Sequence, residues 1–326
     1  MPKTNAVNLG LHLLEVELTT RCNESCTICY NRTGANIDMP LREIIRLTEF
    51  GESHGVNRLV NSGGEASMHP EFRSLVLHLK SYQHRMQIAI QSNGLIGESG
   101  LSLKGAFDIV HLSFEPDDSI VRKTSVAKLI DLAKRYQDEG IYVYFYATVH
   151  PGNIDQIDWM VDKANSVGID IGFNICIAGH RERLQLSPEQ RLTAITKLHQ
   201  LAVAKRTLRF TSPYVAILKD QQADRYIGNR GGCTAGIAAC IVLPNGDVAP
   251  CPFLRIKAGN IYEQDLKDIW LNSEIFSSIR DRSVYDEPCG SCKFLSYCGG
   301  CRASAHSVHR ITGSDPQCIL QGIQNH

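Results

Sequence analysis

Glu17-Leu-Thr-Thr-Arg-Cys22-Asn-Glu-Ser-Cys26-Thr-Ile-Cys29-Tyr30 is the stretch from which the rest of the chain can be ordered. It leaves the end of an apolar run, Leu11 to Leu18, that reads as a buried strand. Its three cysteines fall within eight residues, with three and then two residues between them. Thiolates so placed wrap one face of a small cluster but cannot complete a four-thiolate site alone. Ordinary iron–sulfur clusters take four cysteines, so one iron is left without a protein ligand. An open position is what separates a catalytic metal site from a structural one. A zinc knuckle lacking its fourth ligand is the competing reading of the same residues.

The 326 residues suit one large domain, or one plus a smaller one, and a hydrophobic content of 43% is ample for a core. Lys+Arg and Asp+Glu are equal at 34 each, so no net field draws nucleic acid or an anionic membrane, and neither is expected as a partner. Glu15 and Glu17 interrupt the first apolar run, which excludes a signal-type segment, and no run approaches membrane-spanning length. A cytoplasmic protein is expected. In that compartment 12 cysteines argue for metal ligation and against disulfides. Three lie near the start and eight between Cys233 and Cys318. Cys176, alone in an apolar strand, is expected to be an inert buried thiol.

Between the cysteine clusters, apolar β-branched runs alternate with helix-period segments, the pattern of βα units on a parallel sheet. Strands are expected at Leu11 to Leu18, Arg58 to Ser62, Gln87 to Ser92, Ile109 to Phe114, Ile141 to Val149 and Ile169 to Ile177. Helices are expected after Pro40, after His69-Pro70, through Leu129 and Leu132, up to Val167, and from Ser187-Pro188 to about residue 206. Six strand–helix units make an α/β fold, a partial TIM-like (β/α)6 barrel. Such barrels place chemistry at the C-terminal ends of their strands. The cysteine loop, Gly63-Gly64-Glu65, Asn93-Gly94, Ser113-Phe-Glu115 and the segment 174–179 all fall there. Tyr142, Tyr144, Tyr146 and Thr148 share one face of a strand, which either packs under the helices or looks into the barrel.

The cysteine loop resembles the signature of the radical S-adenosylmethionine (AdoMet) enzymes. In that family the open iron chelates AdoMet, and an electron passed to its sulfonium releases a 5′-deoxyadenosyl radical. Ile28 stands where an aromatic residue is usual. Gly63-Gly64-Glu65 alone would mark only a turn, but here it resembles the family's glycine-rich motif, with Ala66 in place of the usual proline. Residues without Cβ let backbone approach a ligand closely, and strand-end carbonyls with Glu65 would accept from the AdoMet ammonium. The resemblance further implies Ser113 as a ribose contact, Arg122 as a partner of the AdoMet carboxylate, and the backbone of residues 168–173 beside adenine.

The tail carries Cys233-x6-Cys240-x10-Cys251, then Cys289-x2-Cys292-x5-Cys298-x2-Cys301, then Cys318. Eight cysteines make two four-thiolate sites, and two structural zincs satisfy that count as well as clusters do. Ile241 to Pro250 reads as a hairpin about Pro244-Asn245-Gly246, and Asp265 to Arg280 as one helix. The tail resembles the SPASM extension of radical AdoMet enzymes, a small cysteine-rich domain holding two auxiliary [4Fe–4S] clusters. That resemblance implies Cys233, Cys240, Cys251 and Cys301 for the first, and Cys289, Cys292, Cys298 and Cys318 for the second. The implied boundaries are a barrel over 1–206, a linker over 207–232 and the SPASM domain over 233–326. The Cys298-Gly-Gly-Cys301-Arg302 run is a departure that haem-biosynthetic relatives share. Pro252 stands where anaerobic sulfatase maturases keep a catalytic acid. Candidate bases are then Glu115, Asp117, Asp118 and the tyrosine face, with Tyr144 and Tyr146 lining the cavity if that face looks inward.

The expected cofactors are three [4Fe–4S] clusters and AdoMet, with a flavodoxin- or ferredoxin-type electron donor. The expected substrate is a ribosomally made peptide, oxidised or crosslinked. Only about ten residues precede the first strand, so a leader-recognition protein would be separate. Two alternatives stand beside this: a small molecule such as a sugar, aminocyclitol or nucleoside that is dehydrogenated, epimerised or decarboxylated, and a non-catalytic metal or electron-transfer module.

Overall fold

The computed structural model describes residues 9–31, 34–81, 83–117, 124–177, 184–204, 208–210, 212, 214, 217 and 232–320. Strands β1 (Leu13–Glu17), β2 (Arg58–Ser62), β3 (Gln87–Ser92), β4 (Ile109–Ser113), β5 (Tyr142–Val149) and β6 (Asp170–Ile175) pair in parallel in sequence order. The connections carry helices α1 (Leu41–His54), α2 (Phe72–Leu79), α3 (Val126–Asp138) and α4 (Ile157–Ser166), with α5 (Pro188–Ala204) after β6. These are the expected barrel units. A further strand, β7 (Leu208–Phe210), pairs in parallel with β6 inside the stretch expected to be linker. At three residues it is too short to carry a period.

The hairpin β8 (Ala239–Val242) and β9 (Asp247–Ala249) forms about the expected turn, with Gly246 N donating to Leu243 O. It does not stand apart from the barrel. β8 pairs in parallel with β1, and β9 and β10 (Gly259–Asn260) follow antiparallel, which makes one ten-stranded sheet, β10-β9-β8-β1-β2-β3-β4-β5-β6-β7. The tail helices are α6 (Leu266–Asn272), α7 (Glu274–Arg280) and α8 (Arg302–Val308). The single helix expected over 265–280 is two, because Ser273 leaves the helical conformation and its hydroxyl accepts from Ile275 N. A serine that can cap the next helix competes with the helix it interrupts.

Strand alternation separates two environments. Leu14, Val16, Leu59, Ile88, Ile90, Val110, Leu112, Val143, Phe145, Ile171 and Phe173 lie in the core that the helices cover. Their neighbours along each strand turn inward, where Leu13, Val60, Ala89 and Ile109 plug the N-terminal end of the lumen. Above that plug the lumen is polar, and its C-terminal mouth is where the site is built.

Candidate active site

The cysteine loop is pinned at its neck. Thr20 N donates to Ile37 O and Met39 N to Leu18 O. Asp38 accepts from the Thr19 hydroxyl at 2.6 Å and from Arg21 Nε at 3.0 Å. Inside the loop, Glu24 N reaches Cys22 Sγ (3.4 Å) and Asn31 N reaches Cys29 Sγ (3.3 Å). N–H donors on sulfur favour thiolate over thiol. Asn93, at the end of β3, donates its amide to Asn23 Oδ1 (2.8 Å) and towards Cys22 Sγ (3.7 Å). Burial, with the nearby Cys29, raises the Cys22 thiol, and Cys22 is exposed at the mouth.

Gly63 and Gly64 serve this loop directly. Gly64 N donates to Thr19 O and Glu65 N to Arg21 O, carrying the β1–β2 pairing beyond the strands. A Cβ on Gly64 would stand 2.3 Å from Arg21 O, and one on Gly63 2.5 Å from Thr19 O. The glycines are what lets the cysteine loop lie against β2. Glu65, expected to face a ligand, spends its carboxylate on the protein. Ser67 N, the Ser67 and Ser92 hydroxyls and Asn93 N all donate to it. Burial still raises its pKa. A strand-end acid is the nearest acceptor for the amides that a turn sets free, and Glu65 joins the ends of β2 and β3 in that way.

Ser113 lies at the C-terminal end of β4, half-buried. Glu115 is buried, and its two oxygens accept from Thr148 N (2.6 Å) and Asn153 Nδ2 (2.8 Å), bracing β4 against β5. Asp117 accepts from Val126 N at the start of α3. Both expected bases therefore hold backbone. Asp118 and Arg122 lie outside the described residues.

The tyrosine face looks inward. Tyr144 packs on His111 (ring centroids 5.4 Å) and on Tyr146 (6.2 Å), and its hydroxyl fills the space a side chain at Gly172 would need. Burial pushes the His111 pKa down to about 4 and the Tyr146 pKa upward. Two acids whose strand position the sequence used only against a signal segment complete this lumen. Glu15 is buried, accepts from the Ser62 hydroxyl at 2.7 Å, and is held by burial at about 7. Glu17 is wholly buried and pairs with Arg255. Arg255 also donates to Pro252 O and lies over Tyr30 at 5.4 Å, so the segment after Cys251 is tied to the loop of Cys22.

The tail cysteines fall into groups. Cys251 and Cys301 each feel the charge of Cys233, and Cys301 feels Cys251. Cys298 feels Cys318 and Cys289, and Cys318 feels Cys289 and Cys292. Burial pushes Cys251 and Cys298 up to about 12 and Cys318 to about 11. Such thiols ionise only when a metal's charge compensates, since coordination deprotonates a thiol outright. All 12 cysteines are free of disulfides. Buried Arg302 leaves Nε and Nη2 without partners beside Cys233. Orphaned donors there fit an anionic cluster whose sulfur atoms accept. Asp315, also buried, stands between the groups and accepts from Cys301 N (2.7 Å) and the Tyr214 hydroxyl (2.6 Å).

Residues 16–164 match the family model described as the radical SAM superfamily, and residues 233–293 match SPASM, an iron–sulfur cluster-binding domain. The chain belongs to the radical SAM superfamily and carries a SPASM domain. It is 25% identical to the AdoMet-dependent heme synthase of Methanosarcina barkeri, over 95% of this chain and 96% of the relative. It is 26% identical to the PqqA peptide cyclase of Streptomyces rochei, over 94% of this chain and 88% of that one. Its fold resembles that of Streptococcus suis SuiB, with a TM-score of 0.71 at 19% identity over 96% of this chain and 77% of SuiB. This radical SAM protein is an enzyme, and iron–sulfur clusters and AdoMet are the cofactors its two domains bring. Among the described residues no helix is long and apolar enough to cross a membrane.

Proposed function

We propose that this enzyme holds an AdoMet-binding cluster on Cys22, Cys26 and Cys29, holds two auxiliary clusters in its tail, and oxidises or crosslinks a ribosomally made peptide. The observation that carries the reading is that the cysteine loop closes the mouth of a lumen walled by Glu15, His111, Tyr144 and Tyr146. When bound, the cofactors supply hydrogen-atom abstraction from an unactivated carbon and an acceptor for the electron the substrate then gives up. The chain's residues position and exclude. The Gly63-Gly64 backbone and Ser113 border AdoMet. The buried tyrosines keep water from the reacting carbon. Glu15 takes the proton that leaves with the electron, so the substrate loses two hydrogens in all. A carboxyl near 7 suits a base working at neutral pH.

The peptide reading rests on the likeness to a peptide cyclase over nearly the whole chain. A flavodoxin or ferredoxin would deliver electrons, and a separate protein would present the leader. The test is anaerobic, with reconstituted protein, dithionite and AdoMet. 5′-Deoxyadenosine forms with the intact chain and not with Cys26→Ala, and a fully iron-loaded chain that makes none ends the reading. A small-molecule substrate is the second reading, favoured by the match to a heme synthase over 96% of its length and by Cys298-Gly-Gly-Cys301-Arg302. A precursor peptide encoded beside the gene, losing two hydrogens in the assay, decides between them.

A further inference from the structure

Three features set Cys240 apart from cysteines of the first tail group, the third of them from Cys233 and Cys251. The first is the face it occupies. β8 pairs with β1 in the register Leu14↔Cys240 and Glu15↔Ile241. Cys240 therefore shares the helix-covered side with Leu14, in a core whose edge also takes in Cys298 and Cys301. Ile241 turns the other way and clusters with Leu243 and Ala249. Cys251, two residues beyond Ala249 of β9, is near enough to Glu15 on that other side to feel its charge.

The second is its company. The charge beside Cys240 is Arg280, whose guanidinium lies 4.1 Å over the Trp270 ring and donates to Gly236 O. Cys233, Cys251 and Cys301 instead sense one another. The third is local backbone. Cys22, Cys29, Cys233, Cys251, Cys298 and Cys318 each receive the N–H of the residue two further on, a turn that presents sulfur outward. Cys240 sits inside a strand, where residue 242 points its N–H into the ladder.

We infer that Cys240 is a core residue and that the first auxiliary site is a three-cysteine site, Cys233, Cys251 and Cys301, whose fourth iron is open to a donor from outside the chain's cysteines. The inference rests on the reading that the tail binds two clusters. No other cysteine is at hand: Cys289, Cys292, Cys298 and Cys318 form the second group, and Cys176 follows β6 on the far side of the barrel. Such an iron would take an oxygen, nitrogen or sulfur donor, and Cys251, one of the three residues that would hold the cluster, lies near Glu15.

The experiment uses full-length anaerobically reconstituted protein in which Cys22, Cys26 and Cys29 are alanine, so that the tail clusters are seen alone. About eight irons per chain are expected if both clusters load. Iron near zero would sink the two-cluster reading and leave the ligand question unasked. With both clusters present, Cys240→Ala keeps the full iron load and both reduced EPR signals, while Cys251→Ala loses about four irons. Cys240→Val, which keeps more of the buried volume, serves if the alanine variant folds poorly. Potassium cyanide is then added to the reduced protein, and one of the two signals shifts. Loss of about four irons in Cys240→Val, or signals that saturating cyanide leaves unmoved, overturns the inference.

Discussion

Replacing Arg255 by Met removes the cation that faces Glu17, a carboxylate with no exposed side-chain surface. The other Glu17 oxygen receives only the Asn31 amide at 3.4 Å, a long contact that cannot stand in for an ion pair. Two responses are open to the folded chain. It can keep the buried charge unpaired, which costs about 3–5 kcal/mol, or it can protonate Glu17. Protonating a carboxyl of ordinary pKa near 4.5 at pH 7 costs roughly 3 kcal/mol, so the second route caps the loss. Burial already holds the Glu17 pKa above 4.5 despite Arg255, and without Arg255 it moves higher still. The penalty is then small below pH 4.5 and grows as pH rises. Because wild type already carries part of this cost, we expect Arg255→Met to lower stability by at most about 3 kcal/mol at pH 7 and at most about 1 kcal/mol at pH 5.5. For a chain of this size that is a fall in Tm of at most roughly 4–5 °C at pH 7. The double variant Glu17→Gln/Arg255→Met should recover most of it, because a neutral pair leaves no buried charge. Circular dichroism melts under nitrogen at both pH values measure the cycle. A single variant that melts with wild type at pH 7, or a double variant no better than the single, refutes the reasoning.

Gly64→Ala forces a Cβ to within 2.3 Å of Arg21 O and breaks the extended pairing of the loop, so about four irons and nearly all 5′-deoxyadenosine formation are lost while the tail clusters stay. Iron analysis together with EPR checks this. Glu15→Gln removes a carboxyl that burial holds at about 7. The folded pKa is raised, so wild type loses stability as pH rises from about 4.5 to 7. The variant gains on it by about 1 kcal/mol at pH 5.5 and about 3 kcal/mol at pH 8, read from melts across that range. As the proposed base, Glu15 should also be needed for product but not for AdoMet cleavage. Glu115→Ala removes the acceptor of Thr148 N and of one Asn153 Nδ2 hydrogen, the other still reaching Thr148 O, which should cost about 2–4 kcal/mol. A brace shows as a lower Tm with AdoMet cleavage kept once the protein is folded.

The cysteine loop and the barrel strands were legible because both are local. Ligand spacing and strand period need no partner in space to be read. What the sequence concealed is relational. Glu15 and Glu17 look like interruptions of an apolar strand until the lumen beside them and Arg255, far along the chain, are known. Glu65, Glu115 and Asp117 look like free acids at strand ends until the amides they accept from are found. The hairpin was read correctly, but nothing in it announced that its first strand would extend the sheet beside β1. Cys240 is the sharpest case. A count of eight makes it the fourth ligand of a site, and only the register with β1 shows which face its sulfur takes.

That register also explains why barrel and tail cannot be independent modules. β1 carries the cysteine loop at its C-terminal end, and as the first strand of an open barrel it would present an unpaired edge. β8 covers that edge, and Leu13 N donates to Ala238 O just before the ladder begins. Trp270 Nε1 on α6 donates to Leu9 O, and Arg46 on α1 donates to Ile261 O in the turn after β10, so the tail also grips the barrel through side chains. Folding the tail thus orders the strand from which the loop of Cys22, Cys26 and Cys29 hangs. Metal binding and folding are linked wherever a site is not preformed. On the proposed ligation, iron at Cys233, Cys251 and Cys301 would therefore stabilise the loop of Cys22 through β8, Arg255 and Glu17, without any ligand in common.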